Sequence, residues 1–152
     1  MSQVLQTLIE YAEQQRDEAM AALLQAEDAA RRLRQQWQQL QVYEAEYAAR
    51  APTQGGRAAP IDALRSHHAF MLRLQQAMAQ QQALLQTAET QVQSERTLLL
   101  QREIRVAALG KLAQRREGQE RRSTLRLDQQ RSDEAALQRH WRNSLHSRST
   151  AH

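Results

Sequence analysis

Apolar positions recur along the first fifty residues in alternating steps of three and four. One row reads Leu5, Ala12, Ala19, Ala26, Leu33, Leu40 and Tyr47, and a second, three residues on, reads Leu8, Gln15, Ala22, Ala29, Gln36 and Tyr43. This heptad predicts a long helix with both rows in a left-handed coiled-coil seam. Alanine dominates the middle of the seam. It lets helices approach toward the near end of the roughly 8–10 Å interaxial range, yet contributes far less than the roughly 1.5–3 kcal/mol of a buried leucine. Marginal stability and visible bending or fraying are the expectation.

A second apolar stripe runs through Leu64, Phe70, Met71, Leu74, Ala77, Met78, Leu84, Leu85, Ala88, Val92, Leu98, Leu99, Val106 and Leu109. It is too wide to fix a single register. Between the stripes lie both prolines, Pro52 and Pro60, and the pair Gly55-Gly56. Proline lacks a backbone donor and paired glycine favours a turn, so the chain breaks here. Ser2 is placed to cap the first helix, and Pro60 to open the second with Asp62 in its first turn. No segment alternates with period two.

The predicted fold is all-α: two long helices in an antiparallel coiled-coil hairpin with an overhanging C-terminal helix. Residues 1–50 form the first coiled-coil helix, 51–60 the hairpin loop, 61–119 the second coiled-coil helix and 120–152 a basic overhang. Folding back at the loop sets residues near 40 opposite residues near 71. Coverage by the first helix, about 70 Å long at 1.5 Å per residue, then ends near residue 107, just before Gly110. A charged helix with no partner is poorly stabilised, so the overhang is expected to be frayed or disordered unless bound. The parallel homodimer is the competing arrangement.

Charge sharpens this division. Residues 1–100 carry nine basic and eleven acidic side chains, whereas residues 101–152 carry twelve basic and six acidic. The net charge of +4 therefore resides in the C-terminal third and points to an acidic partner there. Cysteine is absent, which excludes disulfides and thiolate metal sites. No stretch approaches the roughly 20 apolar residues of a membrane span and the N-terminus lacks a basic leader, so a cytoplasmic protein is expected.

Catalytic chemistry finds no foothold. There is no glycine-rich phosphate loop, and the acid pairs Asp17-Glu18, Glu27-Asp28 and Asp133-Glu134 occupy neighbouring helix positions that face apart. A two-helix rod also offers no concave pocket in which to shift a pKa. No enzyme and no cofactor are expected. His67-His68 are adjacent rather than one turn apart, which suits a structural or solvated role better than metal ligation. His140, His146 and His152 fall in the tail and form no ligand set.

Two surfaces remain. Gln36, Leu40, Tyr43 and Tyr47 share a stripe of the first helix, and Phe70, Leu74 and Ala77 one of the second. Either these stripes pack on each other as seam, or some of their side chains face outward as a binding patch, where aromatics serve as anchors. Arg115, Arg116, Arg121, Arg122, Arg126 and Arg131 form either a solvated face or a docking surface for an acidic protein; phosphate binding is the weaker alternative, since acids are interspersed and no aromatic is interleaved before Trp141.

Three sequence features now carry a resemblance. Leu40-Gln41-Val42-Tyr43-Glu44-Ala45-Glu46-Tyr47 stands just before the loop, and Phe70, Leu74 and Ala77 just after it. Arg126-Leu127-Asp128-Gln129-Gln130-Arg131-Ser132-Asp133-Glu134 follows near the C-terminus. In this order they make the chain resemble the flagellar type III export stalk proteins of the FliJ family, over nearly its whole length. The resemblance implies a non-enzymatic stalk at the cytoplasmic face of the inner membrane, peripheral through its partners. These would be the flagellar export ATPase hexamer, the cytoplasmic domain of the export gate protein and export chaperones, with no nucleic acid. It implies gate binding by Gln36, Leu40, Tyr43, Tyr47, Phe70, Leu74 and Ala77. It implies ATPase-ring binding by Arg115, Arg116, Arg121, Arg122, Arg126, Asp128, Gln129, Asp133 and Glu134. Where family members often carry histidine, this chain has Gln81. The stalk of a virulence secretion system and a basic nucleic-acid-binding or scaffold coiled coil are the competing readings.

Overall fold

The computed structural model describes residues 2–50 and 60–150. They form two helices, α1 (Gln3–Ala49) and α2 (Ile61–Ser149). The predicted loop at 51–60 lies, apart from Pro60, outside the described residues. Both helices start where local chemistry allows. Ser2 occupies the position before α1, its carbonyl accepting from the Gln6 amide at 3.2 Å, and the Pro60 carbonyl accepts from the Leu64 amide at 3.1 Å. Asp62 lies in the first turn of α2, where a carboxylate complements the helix dipole. The threonines inside the helices return their hydroxyls to the backbone one turn back, as Thr87 does to Ala83 at 3.1 Å and Thr97 to Gln93 at 3.1 Å. Gly110 and Gly118 do not interrupt α2, and a Cβ built on Gly110 would meet nothing within 4 Å.

The described residues group into two compact units, one comprising Ala12–Ile104 and the other the chain up to Tyr11 with Arg105 onward. Within the first, the helices run antiparallel. Cross-helix contacts join Gln36 to Gln81, Arg34 to Glu89, Glu27 to Arg96 and Gln15 to Arg102, one number falling as the other rises. Its most buried side chains are Ala12, Ala19, Ala30, Leu74, Leu85 and Val92. In the second unit, Leu5 and Ala113 are buried, and Ile9, Val106 and Leu109 half-buried. Cover on α2 therefore extends to Ala113, further than the expected end near 107, in keeping with the offset along the pair that the Tyr47–Phe70 and Gln36–Gln81 contacts set.

The seam also follows a different register from the expected one. The row Leu5, Ala12, Ala19, Ala26, Leu33, Leu40 and Tyr47 is buried or half-buried throughout, as predicted. Its companion row lies four residues on: Ile9, Arg16, Leu23, Ala30, Trp37 and Glu44. In the expected second row, Leu8, Ala29, Gln36 and Tyr43 are exposed. The physical reason is bulk at two positions, since Leu23 and Trp37 fill a groove that Ala22 and Gln36 fill less well, whereas Ile9 and Leu8 are equal in volume. On α2 the wide stripe resolves likewise. Leu64, Leu84 and Leu98 point outward, while His67, Gln81, Glu95 and Arg102 join the half-buried line. Tyr47 meets Phe70 and Gln36 meets Gln81, so residues near 40 lie opposite residues near 77 rather than 71. The interlock of the large rings fixes that offset.

Candidate functional site

At the end of the hairpin next to residues 50 and 60, four rings meet. Tyr47 stacks on His67 at 5.0 Å between centroids, with planes 8° apart, and on Phe70 at 4.3 Å, tilted by 42°. Tyr43 stacks on Tyr47 at 6.2 Å and meets Phe70 edge-on at 6.2 Å. Three of these separations lie in the roughly 4.5–7 Å range where aromatic pairs attract beyond simple burial, and the Tyr47–Phe70 distance falls just short of it. The spacing of four between Tyr43 and Tyr47 brings them to one side of α1, and the spacing of three between His67 and Phe70 does the same on α2. His67 is thus a half-buried ring packed on Tyr47 at the seam.

The aromatic stripes divide between seam and surface. Leu74 is buried, and Leu40, Tyr47, Phe70 and Ala77 are half-buried, so these five line the helix–helix contact. Tyr43 is 47% exposed and Gln36 is exposed as well. Both belong to the row that the register correction moves outward. Gln36 accepts a hydrogen bond from the Gln81 amide at 3.0 Å, while the Gln81 carbonyl oxygen is buried without a hydrogen-bond partner. Trp37, half-buried in the companion row, was missed by the sequence reading. Side-chain volume at each candidate row would have found it.

Further along the hairpin, ion pairs stitch one flank. Arg34 meets Glu89 at 3.1 Å and Arg96 meets Glu27 at 3.5 Å. All four residues directly follow seam positions, so they share one side of the antiparallel pair. Between them lies an open groove of about 710 Å³ floored by Ala30 and Val92. Its charges are largely matched; Asp28 likewise engages Arg31 and Arg32 at 3.0 and 2.7 Å.

The arginine-bearing segment stands apart. Arg115, Arg116, Arg121, Arg122, Arg126, Asp128, Gln129, Asp133 and Glu134 are all exposed on α2, as is every residue from 119 to 143. Arg122 folds back to the Gly118 carbonyl at 3.3 Å. Among the described residues no cluster of three or more histidines and carboxylates is placed to hold a metal ion, and no helix is long and apolar enough to cross a membrane.

These features define a coiled-coil hairpin protein, with aromatics at one end and exposed arginines on the longer helix. The family assignment follows: the model described as Flagellar FliJ protein matches residues 1–145, and the chain belongs to that family. Membership places it among the stalk components of flagellar type III protein export, a structural family rather than an enzymatic one. Comparisons with curated proteins and with solved structures gave no match.

Proposed function

We propose that this protein is the central stalk of the flagellar export ATPase. In this reading the arginine-bearing part of α2 enters the hexameric ring, with Arg115, Arg116, Arg121, Arg122, Arg126, Asp128, Gln129, Asp133 and Glu134 facing its lumen. The hairpin end contacts the cytoplasmic domain of the export gate through Gln36, Leu40, Tyr43, Tyr47, Phe70, Leu74 and Ala77, and export chaperones are escorted between the two. The protein would then sit at the cytoplasmic face of the inner membrane, held there by its partners.

The observation that carries the reading is the division of the chain by charge and burial. The matched family model spans a helix whose residues 119–143 are all exposed, within the third of the chain that holds the basic surplus. Exposed, rotamer-rich arginines on an unpacked helix suit charge-complementary docking better than self-packing. At the other end, Tyr43 and Gln36 are the exposed members of the seven residues assigned to the gate. They are the residues that reach a partner directly, with Tyr47 and Phe70 holding Tyr43 in place. The test is the rate of ATP hydrolysis by the cognate export ATPase. Stimulation by the full chain, lost when Arg121, Arg122 and Arg126 become glutamate, supports the stalk. No stimulation at saturating protein refutes it.

A further inference from the structure

The register correction brings a second surface into view. In the unit formed by the chain up to Tyr11 and from Arg105 onward, residues that directly precede seam positions share one flank of the antiparallel pair. On α1 that flank carries Val4, Leu8 and Tyr11, which are 70, 42 and 53% exposed. On α2 it carries Leu112, 40% exposed. Single exposed apolar side chains need no explanation, but four along one flank form a contiguous stripe of the kind that marks an interaction site.

Charge is sorted across the same unit. Arg105 directly precedes the half-buried Val106 and Arg115 lies two residues past the buried Ala113, so the two bracket Leu112; Glu117, one turn past Ala113, lies toward the opposite flank, and Glu10 lines a shallow hollow with Val4 and Leu8. On its α2 side the stripe is therefore bordered by positive charge, while Glu10 stands on its α1 side. Ten residues of helix separate the two arginines, a span of about 15 Å at 1.5 Å per residue.

We propose that this flank is a docking groove for an amphipathic helix with an acidic edge. The partner's apolar stripe would lie on Val4, Leu8, Tyr11 and Leu112. Its carboxylates, about three turns apart, would meet Arg105 and Arg115. A helix fits the furrow between two helices, whereas a planar lipid surface meets only the rims. A second copy of this chain would bring its own arginines against the same edge, and like charges facing each other disfavour that pairing. The proposal rests on the flank's chemistry and not on the export role, and it shares only Arg115 with the segment assigned to the ATPase ring. Loss of ATPase stimulation with peptide binding intact would therefore count against the stalk reading alone.

The experiment titrates the full chain into fluorescein-labelled synthetic helices of about 21 residues, or three heptads, and follows anisotropy. One peptide carries leucine at its seam positions and glutamate along one edge; the other has lysine in place of the glutamates. The acid-edged peptide is expected to bind at least about tenfold more tightly than its lysine counterpart, with affinity falling as salt rises. The double variant Leu8→Glu with Leu112→Glu should weaken binding by about tenfold or more, whereas Met20→Glu with Leu100→Glu, exposed elsewhere, should leave it unchanged. Circular dichroism verifies helicity. The pair Arg105→Glu with Arg115→Glu, which touches no buried side chain, should reverse the preference toward the lysine-edged peptide. Equal affinity for both peptides, no binding up to about 200 μM, or indifference to the flank variants would overturn the proposal. So would Leu8-dependent retention on phosphatidylglycerol vesicles without peptide preference, or a Leu8-dependent dimer in sedimentation.

Discussion

Leu84 and Leu85 are neighbours on one helix with opposite fates, and replacing each in turn with alanine tests the seam directly. Leu85 is 9% exposed and Leu84 55%. At about 0.8 kcal/mol per buried methylene, truncating a side chain with nine-tenths of its surface covered removes about 2 kcal/mol of transfer energy. A two-helix seam closes readily over the gap, which keeps Leu85→Ala near the low end of the roughly 2–5 kcal/mol range for core leucines. Leu84→Ala should cost about 0.5 kcal/mol or less, as surface substitutions do. Both changes bring the same small gain in helix propensity, so it cancels in the difference. The gap of about 1.5 kcal/mol corresponds to slightly more than a tenfold change in the folding constant. Urea titration followed by Trp37 fluorescence, in a Trp141→Phe background, reads the hairpin locally because Trp37 sits in the seam. With a slope near 2 kcal/mol per molar urea, Leu85→Ala should lower the midpoint by about 1 M and leave the slope unchanged. If Leu84→Ala is equally or more damaging, the seam runs along another row and the register is refuted.

Gln81→Leu should stabilise the hairpin by about 1 kcal/mol, since it removes a buried acceptor that lacks a donor and leaves Gln36 to exposed solvent; a lower urea midpoint would contradict this. Tyr47→Ala should cost about 2 kcal/mol through lost contact with His67 and Phe70, and Tyr43→Ala under about 1 kcal/mol, a difference readable in thermal midpoints. If the unpacked part of α2 frays in the absence of a partner, amides between residues 119 and 149 should exchange with deuterium far faster than those around Leu85 and Val92. Equal protection in the two regions would show that the segment has found a partner surface, and the added export ATPase ring should confer such protection if the stalk proposal holds.

Much of the fold was legible because helix formers and helix breakers are cleanly separated. Two prolines and a glycine pair divide an otherwise unbroken run, and the row from Leu5 to Tyr47 is buried as its spacing foretells. The companion row was misread for an identifiable reason. Steps of three and of four from Leu5 both keep a heptad, and alanine at positions 22, 29 and 30 makes the two hard to separate by hydrophobicity alone. Only the bulk of Leu23 and Trp37, against Ala22 and Gln36, decides between them. Polar seam residues such as Gln81 and Arg102 were invisible to an apolar count, because cross-helix hydrogen bonds make up for their lack of hydrophobicity. The half-exposed state of the candidate patch followed from the same error, since Tyr43 and Gln36 belong to the row that turns outward. Offset along the pair was equally hidden, because it depends on how Tyr47, His67 and Phe70 interlock.

Gly110 has a further consequence. Nothing lies within 4 Å of where its missing methyl group would be, so packing does not require the glycine. Alanine there would strengthen the helix by about 1 kcal/mol. A chain that keeps glycine at such a spot keeps a point of easy torsion just before Ala113, the last buried seam residue on the longer helix. Twist applied to the arginine-bearing stretch would meet Gly118 and then Gly110, two compliant couplings ahead of the leucine and valine contacts of the hairpin.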